Sequence, residues 1–438
     1  MTLKGSPAIS LPCHASGPEQ VTSAASIETA VEGCGRTRKP RVLILSALIP
    51  VERSGGGCLA LRRHFLLRED FDVAIATIRG DAPQETHRYQ IGRNPILWRL
   101  RTAGATRLSA NLEYLWNWFR LPGDLVSFAR EFQPDVIFTV ADDLHMGLAW
   151  QLSRRLDVPL AVNFQDLFAV SLFESPLTRP YPGVRQFLLN RYRLLNSRAD
   201  LVLHTSEGMR EWFSPHQRGD VLYPVPDGLQ SKVPSVPPAA PAGRIKLLYT
   251  GNSTGAYGRM LLQLAREVID DPRIDFRIFT RASDWPADEQ RRLEDAGIYR
   301  GFLPFEELRS QLAEADAFLS VMSFEPEQQT FMRTSFTTKC GDYVPWGRPL
   351  FIWGPEYSSA CRFVRKYQAG VAIEQNSAAA VVQAVVETAR DERAWRSLCA
   401  GALAAAAGQL NADQIHNVLR LRLNGLRRAS AGAADPPV

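Results

Sequence analysis

Short apolar segments alternate along the chain with segments in which apolar residues recur at helical spacing. In the first half, continuous apolar runs predict strands that are covered on both faces, at 41–48, 72–78, 135–140, 159–164 and 199–206. Periodic segments between them predict helices, at 58–67, 144–156 and 184–198. Strands that alternate with helices in this way indicate an α/β fold with a mostly parallel, doubly wound sheet.

The same alternation begins again after a proline-rich segment, QSKVPSVPPAAPAG, at 230–243, which predicts a linker. Beyond it, strands are predicted at 245–250, 276–280, 317–322 and 349–353, and helices at 308–315 and 338–346. Alanine-rich helices follow to about residue 428. Since both halves show this pattern, we expect two Rossmann-like domains that present the carboxyl ends of their strands to a shared cleft.

These patterns define six segments of the chain. The ends are rich in small residues and proline and predict a disordered leader and tail. The segments are a leader at 1–40, an N-terminal domain at 41–229, the linker at 230–243, a C-terminal domain at 244–410, a last helix at 411–428 and a tail at 429–438.

Composition narrows the class of protein. Hydrophobic residues make up 45% and charged residues 22% of the 438, which excludes disordered, collagen-like and coiled-coil classes for most of the chain. The excess of 51 basic over 46 acidic residues, +5, is too small to indicate nucleic-acid binding. No apolar run approaches the length of a membrane span, and the N-terminus lacks a signal-peptide pattern, so we expect a cytoplasmic protein. The sequence has no CxxC, HxH or HExxH motif, so we expect no metal site.

Three glycines, Gly55, Gly56 and Gly57, follow the first predicted strand and precede a helix. Glycines there allow close approach of the backbone, and the helix N-terminus offers free N–H groups, so a phosphate or an acceptor substrate could bind. The alternative is a simple strand–helix turn. The dinucleotide-binding pattern GxGxxG is absent here, which argues against a nicotinamide enzyme.

Carboxylates follow two further strands of the first half. Asp142 and Asp143 come after the strand at 135–140, and Asp166 follows the strand at 159–164. In a cleft, such groups could accept a proton or bind sugar hydroxyls. The alternatives are a helix cap for Asp142 or Asp143 and an ordinary turn for Asp166.

The stretch after the predicted strand at 317–322 contains the densest cluster of candidate ligand-binding side chains. Hydroxyls and a lysine cluster where a helix should begin, at Thr334, Ser335, Thr337, Thr338 and Lys339. Together with free N–H groups they would form a cradle for a diphosphate. Asp342, on the first turn, could bind two adjacent ribose hydroxyls. Ordinary helix capping is the alternative.

The string TSFTTKCGDYVPWGRPLF resembles the signature Ser-x-Pro-Thr-Lys-x-x-Glu-Tyr-x-x-x-Gly-x-Pro of family 4 glycosyltransferases, which have the GT-B fold. Weaker similarity extends over about 41–410. It includes the NFQDLF segment at 163–168, the YPVPDG turn at 223–228 and the glycine loop LLYTGNSTG at 247–255. The resemblance implies a nucleotide-sugar as a substrate and no cofactor.

The resemblance also implies roles for individual residues. Asp342 stands where the family has a ribose-binding Glu, and Thr334 where many members have a Glu that contacts the transferred sugar. Ser335, Thr337, Thr338 and Lys339 match the phosphate-side loop, with Lys339 stabilising the leaving group.

In the glycine loop, Gly251 and Asn252 match donor-binding positions, although Asn252 replaces the start of the family's basic pair, for which Arg259 is a candidate substitute. Asp166 matches a carboxylate of one branch and is the candidate acceptor-side or catalytic group.

The expected activity is that of a metal-independent, retaining hexosyltransferase that moves a sugar from a nucleoside diphosphate to a glycan or lipid-linked acceptor, in cell-surface polysaccharide or glycan biosynthesis. Two alternatives stay open: a degenerate GT-B domain acting as a non-catalytic binding partner, and another GT-B activity such as a sugar epimerase.

An aromatic and basic stretch bears on the acceptor. Residues 88–131 hold seven Arg against three acidic residues, together with Trp98, Trp116, Trp118 and Phe119. Such a stretch could contact an anionic bilayer, giving peripheral association with the cytoplasmic membrane face, where lipid-linked sugar acceptors reside. The alternative is a helical insertion whose Trp residues pack in the core.

Overall fold

Two parallel sheets form the centre of the molecule. The computed structural model describes residues 38–50, 56–78, 84, 86–167, 177–213, 219–226 and 236–432. From Pro40 onward the chain forms one compact unit. Most of the predicted leader, the first part of the predicted linker and the end of the predicted tail lie outside the described residues.

The first sheet has seven strands in the order β3-β2-β1-β4-β5-β6-β7 and every pairing is parallel. The strands are β1 (Arg41–Leu45), β2 (Asp72–Thr77), β3 (His87–Gln90), β4 (Val136–Val140), β5 (Leu160–Phe164), β6 (Leu201–His204) and β7 (Asp220–Val221). In the central strand β1, Val42 lies beside Val73 on one side and Val136 on the other. The strands predicted from continuous apolar runs are thus central and buried on both faces.

Helices of the first half cover both faces of this sheet. They are α1 (Gly56–Phe65), α2 (Pro95–Thr102), α3 (Thr106–Phe119), α4 (Gly123–Phe132), α5 (Met146–Leu156), α6 (Pro182–Arg198) and α7 (Glu207–Trp212). The basic, aromatic stretch forms β3 and α2 to α4. Its tryptophans lie in different environments: Trp118 packs in the core, whereas Trp98 and Trp116 are exposed. The core alternative therefore holds for Trp118 alone.

The second sheet has five parallel strands in the order β12-β11-β10-β8-β9. They are β8 (Ile245–Thr250), β9 (Ile274–Phe279), β10 (Ala317–Val321), β11 (Leu350–Trp353) and β12 (Gly370–Ile373). Its helices are α8 (Gly255–Val268), α9 (Ala287–Asp295), α10 (Phe305–Glu314), α11 (Gln329–Thr334), α12 (Thr338–Tyr343), α13 (Ser359–Tyr367), α14 (Ala378–Arg390) and α15 (Glu392–Ala407). The predicted helix at 338–346 ends at Tyr343 and continues as a 3₁₀ turn, since Pro345 has no N–H to donate.

The last helix, α16 (Ala412–Gly432), returns to the first half of the chain. It packs beside β4 and β6, buries Leu419 and Leu423, and pairs Arg422 with Asp220. It also runs four residues beyond the predicted end at 428, into the segment predicted as a disordered tail. None of the helices within the described ranges is both long enough and apolar enough to span a bilayer.

Candidate active site

Loops at the carboxyl ends of both sheets meet around a narrow cavity of about 60 Å³. The start of α1 and the loop after β5 contribute Gly57 and Asp166 from the first half. The loop before α12 and the first residue of α12 contribute Phe336 and Thr338 from the second. This is the shared edge at which ligands of open α/β sheets bind. Three of the predicted site residues, Gly57, Asp166 and Thr338, line it.

The glycines after β1 pack closely against side chains of both halves. A Cβ on Gly56 would lie 2.6 Å from Cγ2 of Thr338, and one on Gly57 would lie 2.5 Å from Oε1 of Gln165. Real Cβ atoms are not found so close to other heavy atoms, so a side chain at position 56 would displace Thr338, and one at position 57 would displace the flexible end of Gln165. Gly55 lies outside the described residues.

Asp166 is bonded directly to the other half of the molecule. The Ser335 hydroxyl donates a hydrogen bond of 2.5 Å to Oδ1 of Asp166. Burial raises the pKa of Asp166, although the hydrogen bond from Ser335 opposes that effect. The structure thus joins two predicted site residues that are 169 positions apart.

Lys339 lies across the glycine loop after β8. Its Nζ is 5.1 Å from the centre of the Tyr249 ring, and a Cβ on Gly251 would lie 2.6 Å from its Cε. Gly251 has φ of +121°, a conformation that side chains disfavour. Burial lowers the pKa of Lys339 to about 8. The predicted partners Gly251 and Lys339 are therefore adjacent.

Asp342 pairs with a residue of the first half. Nη1 of Arg63, on α1, lies 3.2 Å from Oδ1 of Asp342 and donates a second hydrogen bond of 2.9 Å to the carbonyl of Val225. A ribose that binds at Asp342 would compete with this ion pair. Thr337 lies at the N-cap position of α12, and its side chain makes no capping hydrogen bond there.

Asn252 and Arg259 both make contacts within the second half. Asn252 is exposed, and its Oδ1 accepts hydrogen bonds from the backbone N–H and the hydroxyl of Thr254, which fixes the turn before α8. Arg259 pairs with Glu325 on the surface.

Thr334 and Asp142 both bond their side chains to neighbouring protein groups. The buried Thr334 hydroxyl donates to the carbonyl of Thr330 at 2.8 Å, so it is turned into α11 rather than toward a donor. The Asp142 carboxylate accepts from the backbone N–H groups of Ala47, Leu144 and His145 and from Nδ1 of His145. These bonds fix the turn before α5 and join it to Ala47 after β1, and the predicted role of Asp142 in acceptor or phosphate binding stays a prediction.

Sequence reasoning missed two residues of α1, Arg63 and His64. His64 lines the cavity, and its spacing from Gly57 and Ala60 places all three on one face of the helix. This helical spacing can be seen in the sequence. It places His64 in the cleft only if the glycines at the start of α1 are already known to face the cleft. Across the described ranges, no three His, Cys, Asp or Glu side chains are grouped as metal ligands would be.

Two kinds of comparison bear on this geometry. Residues 60–222 match the family model described as a glycosyl transferase 4-like domain. HepE of Anabaena, solved in complex with UDP, superposes with a TM-score of 0.60 at 14% identity, covering 88% of this chain and 100% of HepE. The sucrose-phosphate synthase of Thermosynechococcus elongatus gives 0.59 at 15% identity, covering 91% and 100%.

The chain has the GT-B fold. WaaG, a glycosyltransferase involved in lipopolysaccharide biosynthesis, is a third structural neighbour, with a TM-score of 0.56 at 11% identity and coverage of 86% and 98%. No curated protein sequence matches the chain. The resemblance to a GT-B, family 4-like protein is confirmed, and the two Rossmann-like halves of the GT-B fold are the two sheets described above.

Proposed function

We propose that this GT-B protein transfers a sugar from a nucleoside diphosphate to a glycan or lipid-linked acceptor, with retention of configuration and without a metal ion. The observation that carries the proposal is the convergence of Asp166, Ser335 and Thr338 at the contact between the two halves, with Lys339 beside the Gly251 loop. Asp166 belongs to the first half, and Ser335, Thr338 and Lys339 belong to the second. Both halves therefore contribute polar groups to this contact.

Each half has a separate part in the proposed reaction. The bond between the anomeric carbon and the diphosphate oxygen breaks, and the acceptor oxygen bonds to that carbon. The acceptor's hydroxyl proton passes to an oxygen of the departing diphosphate. Lys339 and the hydroxyl of Thr338 stabilise the charge that builds on this leaving group; one such donor contributes about 3–4 kcal/mol. Ser335 donates its hydroxyl proton to Asp166 and so holds that carboxylate in place. Asp166 orients the acceptor hydroxyl.

A uridine diphosphate sugar is the first donor to test. HepE, a structural neighbour, has been solved with UDP and with UDP-glucose. Because HepE is only 14–15% identical to this chain, the base and the sugar have to be established by binding.

The acceptor half offers a surface suited to lipid-linked substrates. One face of α3 exposes four apolar side chains at intervals of three or four residues, Leu108, Leu112, Trp116 and Phe119. The guanidinium of Arg120 lies 4.9 Å from the Trp116 ring. We propose that this face contacts an anionic membrane in the course of biosynthesis of cell-surface polysaccharide or glycan.

Vesicle co-sedimentation tests that contact. Phe119→Ser with Trp116→Ser should reduce binding to vesicles containing anionic lipid, and wild-type binding should weaken with salt. Phe302→Ser is the control, because it removes from the second half an aromatic whose exposure, 55%, lies between those of Trp116 and Phe119. Equal binding by both variants would contradict the proposed contact.

A non-catalytic binding protein is the second candidate. Its support is that Asp342 is paired with Arg63 and that Thr334, where many family members have a glutamate, turns its hydroxyl into its own helix. A nucleotide-sugar that is neither hydrolysed nor transferred would favour this alternative.

A thermal-shift screen against UDP, GDP, dTDP, CMP and their sugars tests donor binding. A ligand at about 100 times its dissociation constant stabilises the folded state by roughly 2.7 kcal/mol. We expect one nucleotide family to stabilise the wild type and Asp342→Ala to lose that stabilisation.

Arg63→Gln is the matched variant, because it breaks the same ion pair while leaving the Asp342 carboxylate in place. It should retain nucleotide binding. Equal losses in Arg63→Gln and Asp342→Ala would assign the effect to contact between the halves rather than to a ribose. Transfer assays with and without a chelator then test independence from metal.

A further inference from the structure

A chain of hydrogen bonds runs from the partly exposed Asp70 to the cavity. Nε2 of His416, on α16, lies 2.8 Å from Oδ2 of Asp70, and Nδ1 of His416 lies 3.3 Å from Nδ1 of His64. The two imidazole rings are stacked with centres 5.5 Å apart, and both histidines are less than 5% exposed. Asp70, His416 and His64 thus form a continuous relay from the surface to the cleft.

The order of these bonds fixes where each proton lies. A carboxylate accepts, so Nε2 of His416 donates to Asp70, and a neutral His416 then presents a lone pair at Nδ1. His64 must donate from Nδ1 to that lone pair, which leaves Nε2 of His64 unprotonated. Burial lowers the pKa of His416, and the hydrogen bond to Asp70 only partly offsets this effect. Burial likewise lowers the pKa of His64 to about 3, so both rings are neutral near pH 7.

Nε2 of His64, which carries no proton, can bind only a ligand that donates a hydrogen bond. With Nδ1 engaged by His416, Nε2 is the atom of His64 left to meet a ligand in the cavity that the ring lines. A lone pair there accepts a hydrogen bond from a hydroxyl. It repels a diphosphate, whose oxygens are also acceptors.

We infer that His64 binds a hydroxyl group of the acceptor substrate through Nε2, and that His416 and Asp70 are positioning residues that hold its tautomer. This inference rests on the proposed transferase activity. His64 belongs to α1 of the first half, on the same side of the cleft as Asp166. It therefore acts on the acceptor and not on the nucleotide, which the second half would bind.

Kinetics with separate variation of donor and acceptor test the inference. His64→Leu should raise the KM for the acceptor about tenfold, the loss of one hydrogen bond, with the KM for the donor and kcat within about twofold of wild type. His64→Gln, which keeps an oxygen acceptor, should recover part of the loss. His416→Leu should act in the same direction, because the tautomer of His64 is no longer held. His87→Gln, on exposed β3, is the control.

A second measurement needs neither activity nor a variant that folds. Nitrogen NMR of histidine-labelled wild-type protein near neutral pH should show one buried histidine protonated at Nδ1 and unprotonated at Nε2, coupled across a hydrogen bond to a second histidine. A His64 protonated at Nε2 overturns the inference.

The outcomes separate the two proposals. If the wild type transfers sugar and His64→Leu leaves the acceptor KM unchanged, this inference alone fails. If the wild type neither hydrolyses nor transfers any nucleotide-sugar, the proposed function fails and this inference with it, whatever the tautomer of His64.

Discussion

At the scale of single residues, the protonation of Lys339 links the site to pH. Its pKa of about 8 means that it is cationic at pH 7 and loses its charge as the pH rises through 8. A neutral amine attracts a diphosphate far less than an ammonium does, so the charge on this residue controls how tightly a nucleotide would be held.

We therefore expect the affinity for the nucleoside diphosphate to fall between pH 7 and pH 9 in the wild type. Lys339→Gln should bind about 10–100 times more weakly at pH 7, as expected for loss of a charged hydrogen bond, and should show little dependence on pH. Isothermal titration with the nucleotide from the screen measures both effects. Lys246→Gln, at the opposite end of β8, is the control; a similar weakening there would contradict a local role for Lys339.

A second titrating residue, Asp143, affects stability rather than binding. It is buried after β4 and accepts a hydrogen bond of 2.5 Å from the Tyr192 hydroxyl. Burial raises its pKa to about 7, whereas the unfolded value is 3.8. Between about pH 4 and pH 7 the folded protein therefore holds a proton that the unfolded chain has lost.

This difference should lower the free energy of unfolding as the pH rises from 4 to 7, by up to about 1.4 kcal/mol per pH unit. Asp143→Asn removes the titration, so the stability of the variant relative to wild type should increase over that interval. Denaturant unfolding at several pH values measures the difference. Asp295→Asn, exposed on α9, should leave the slope unchanged, and a parallel pH dependence for wild type and Asp143→Asn would contradict the assignment.

The sequence identifies the residues whose chemistry is local and misses those that depend on packing. Asp166 follows a predicted strand and Lys339 lies in the signature, so the order of residues along the chain is enough to predict both. It does not predict Arg63 and His64, because their partners Asp342 and His416 lie hundreds of positions away. The donor-binding role of Thr334 stays a prediction. Its hydroxyl donates to the carbonyl of Thr330, a side-chain direction that a matched position in a motif does not predict.

At the scale of secondary-structure elements, prediction succeeds where apolar runs are buried on both faces. Strands β1, β2, β4 and β5 agree within a few residues with the expected segments. Strands β3, β7 and β12 are missed because they are short edge strands with neither a full apolar run nor strict alternation. The return of α16 to the first sheet is also not predicted, because helical periodicity does not name the surface against which a helix packs.

The packing of α16 gives a prediction at this scale. Leu419 is buried against the first half, whereas its neighbour Val418 is 41% exposed. Leu419→Ala should lower the free energy of unfolding by about 2–5 kcal/mol, and Val418→Ala should change it by less than about 0.5 kcal/mol. Chemical denaturation of both variants provides the comparison. Similar small effects would mean that the helix does not pack on the first half in solution.

At the scale of the whole molecule, α7 and α13 join the two halves beside the site. The carboxylate of Glu211 accepts two hydrogen bonds from Arg362, of 2.6 and 2.8 Å, and Glu207 pairs with Lys366. Both pairs are partly exposed, so each contributes little alone. The hydroxyl of Ser206 donates to the carbonyl of Thr334 at 2.5 Å, in a buried position.

Tyr223 and Phe336 line both the cavity at Asp166 and the narrow gap beside these ion pairs, so the contact lies next to the cavity. The volume of that cavity, about 60 Å³, is well below the roughly 300–1,000 Å³ of most ligand sites, so we expect the halves to move apart when a sugar acceptor enters. Substrate entry would then need the two halves to separate, and reaction would need them to close. We expect the packing of α7 against the second half to affect the equilibrium between these two states.

Gly208 of α7 is the position where that balance can be tested. A Cβ there would lie 2.0 Å from the carbonyl oxygen of Arg333, a backbone atom that no side-chain rotation can move. Gly208→Ala should therefore force α7 away from α11, lower the free energy of unfolding by about 1–3 kcal/mol and increase the radius of gyration in X-ray scattering. Gly183→Ala is the matched control, because a Cβ on that helical glycine meets no atom within 4 Å. It should be neutral or stabilising by up to about 1 kcal/mol. If both variants have wild-type stability and scattering, α7 and α11 are not in contact in solution. If only Gly208→Ala expands and its transfer rate falls while nucleotide binding persists, closure of the two halves is a step of the reaction.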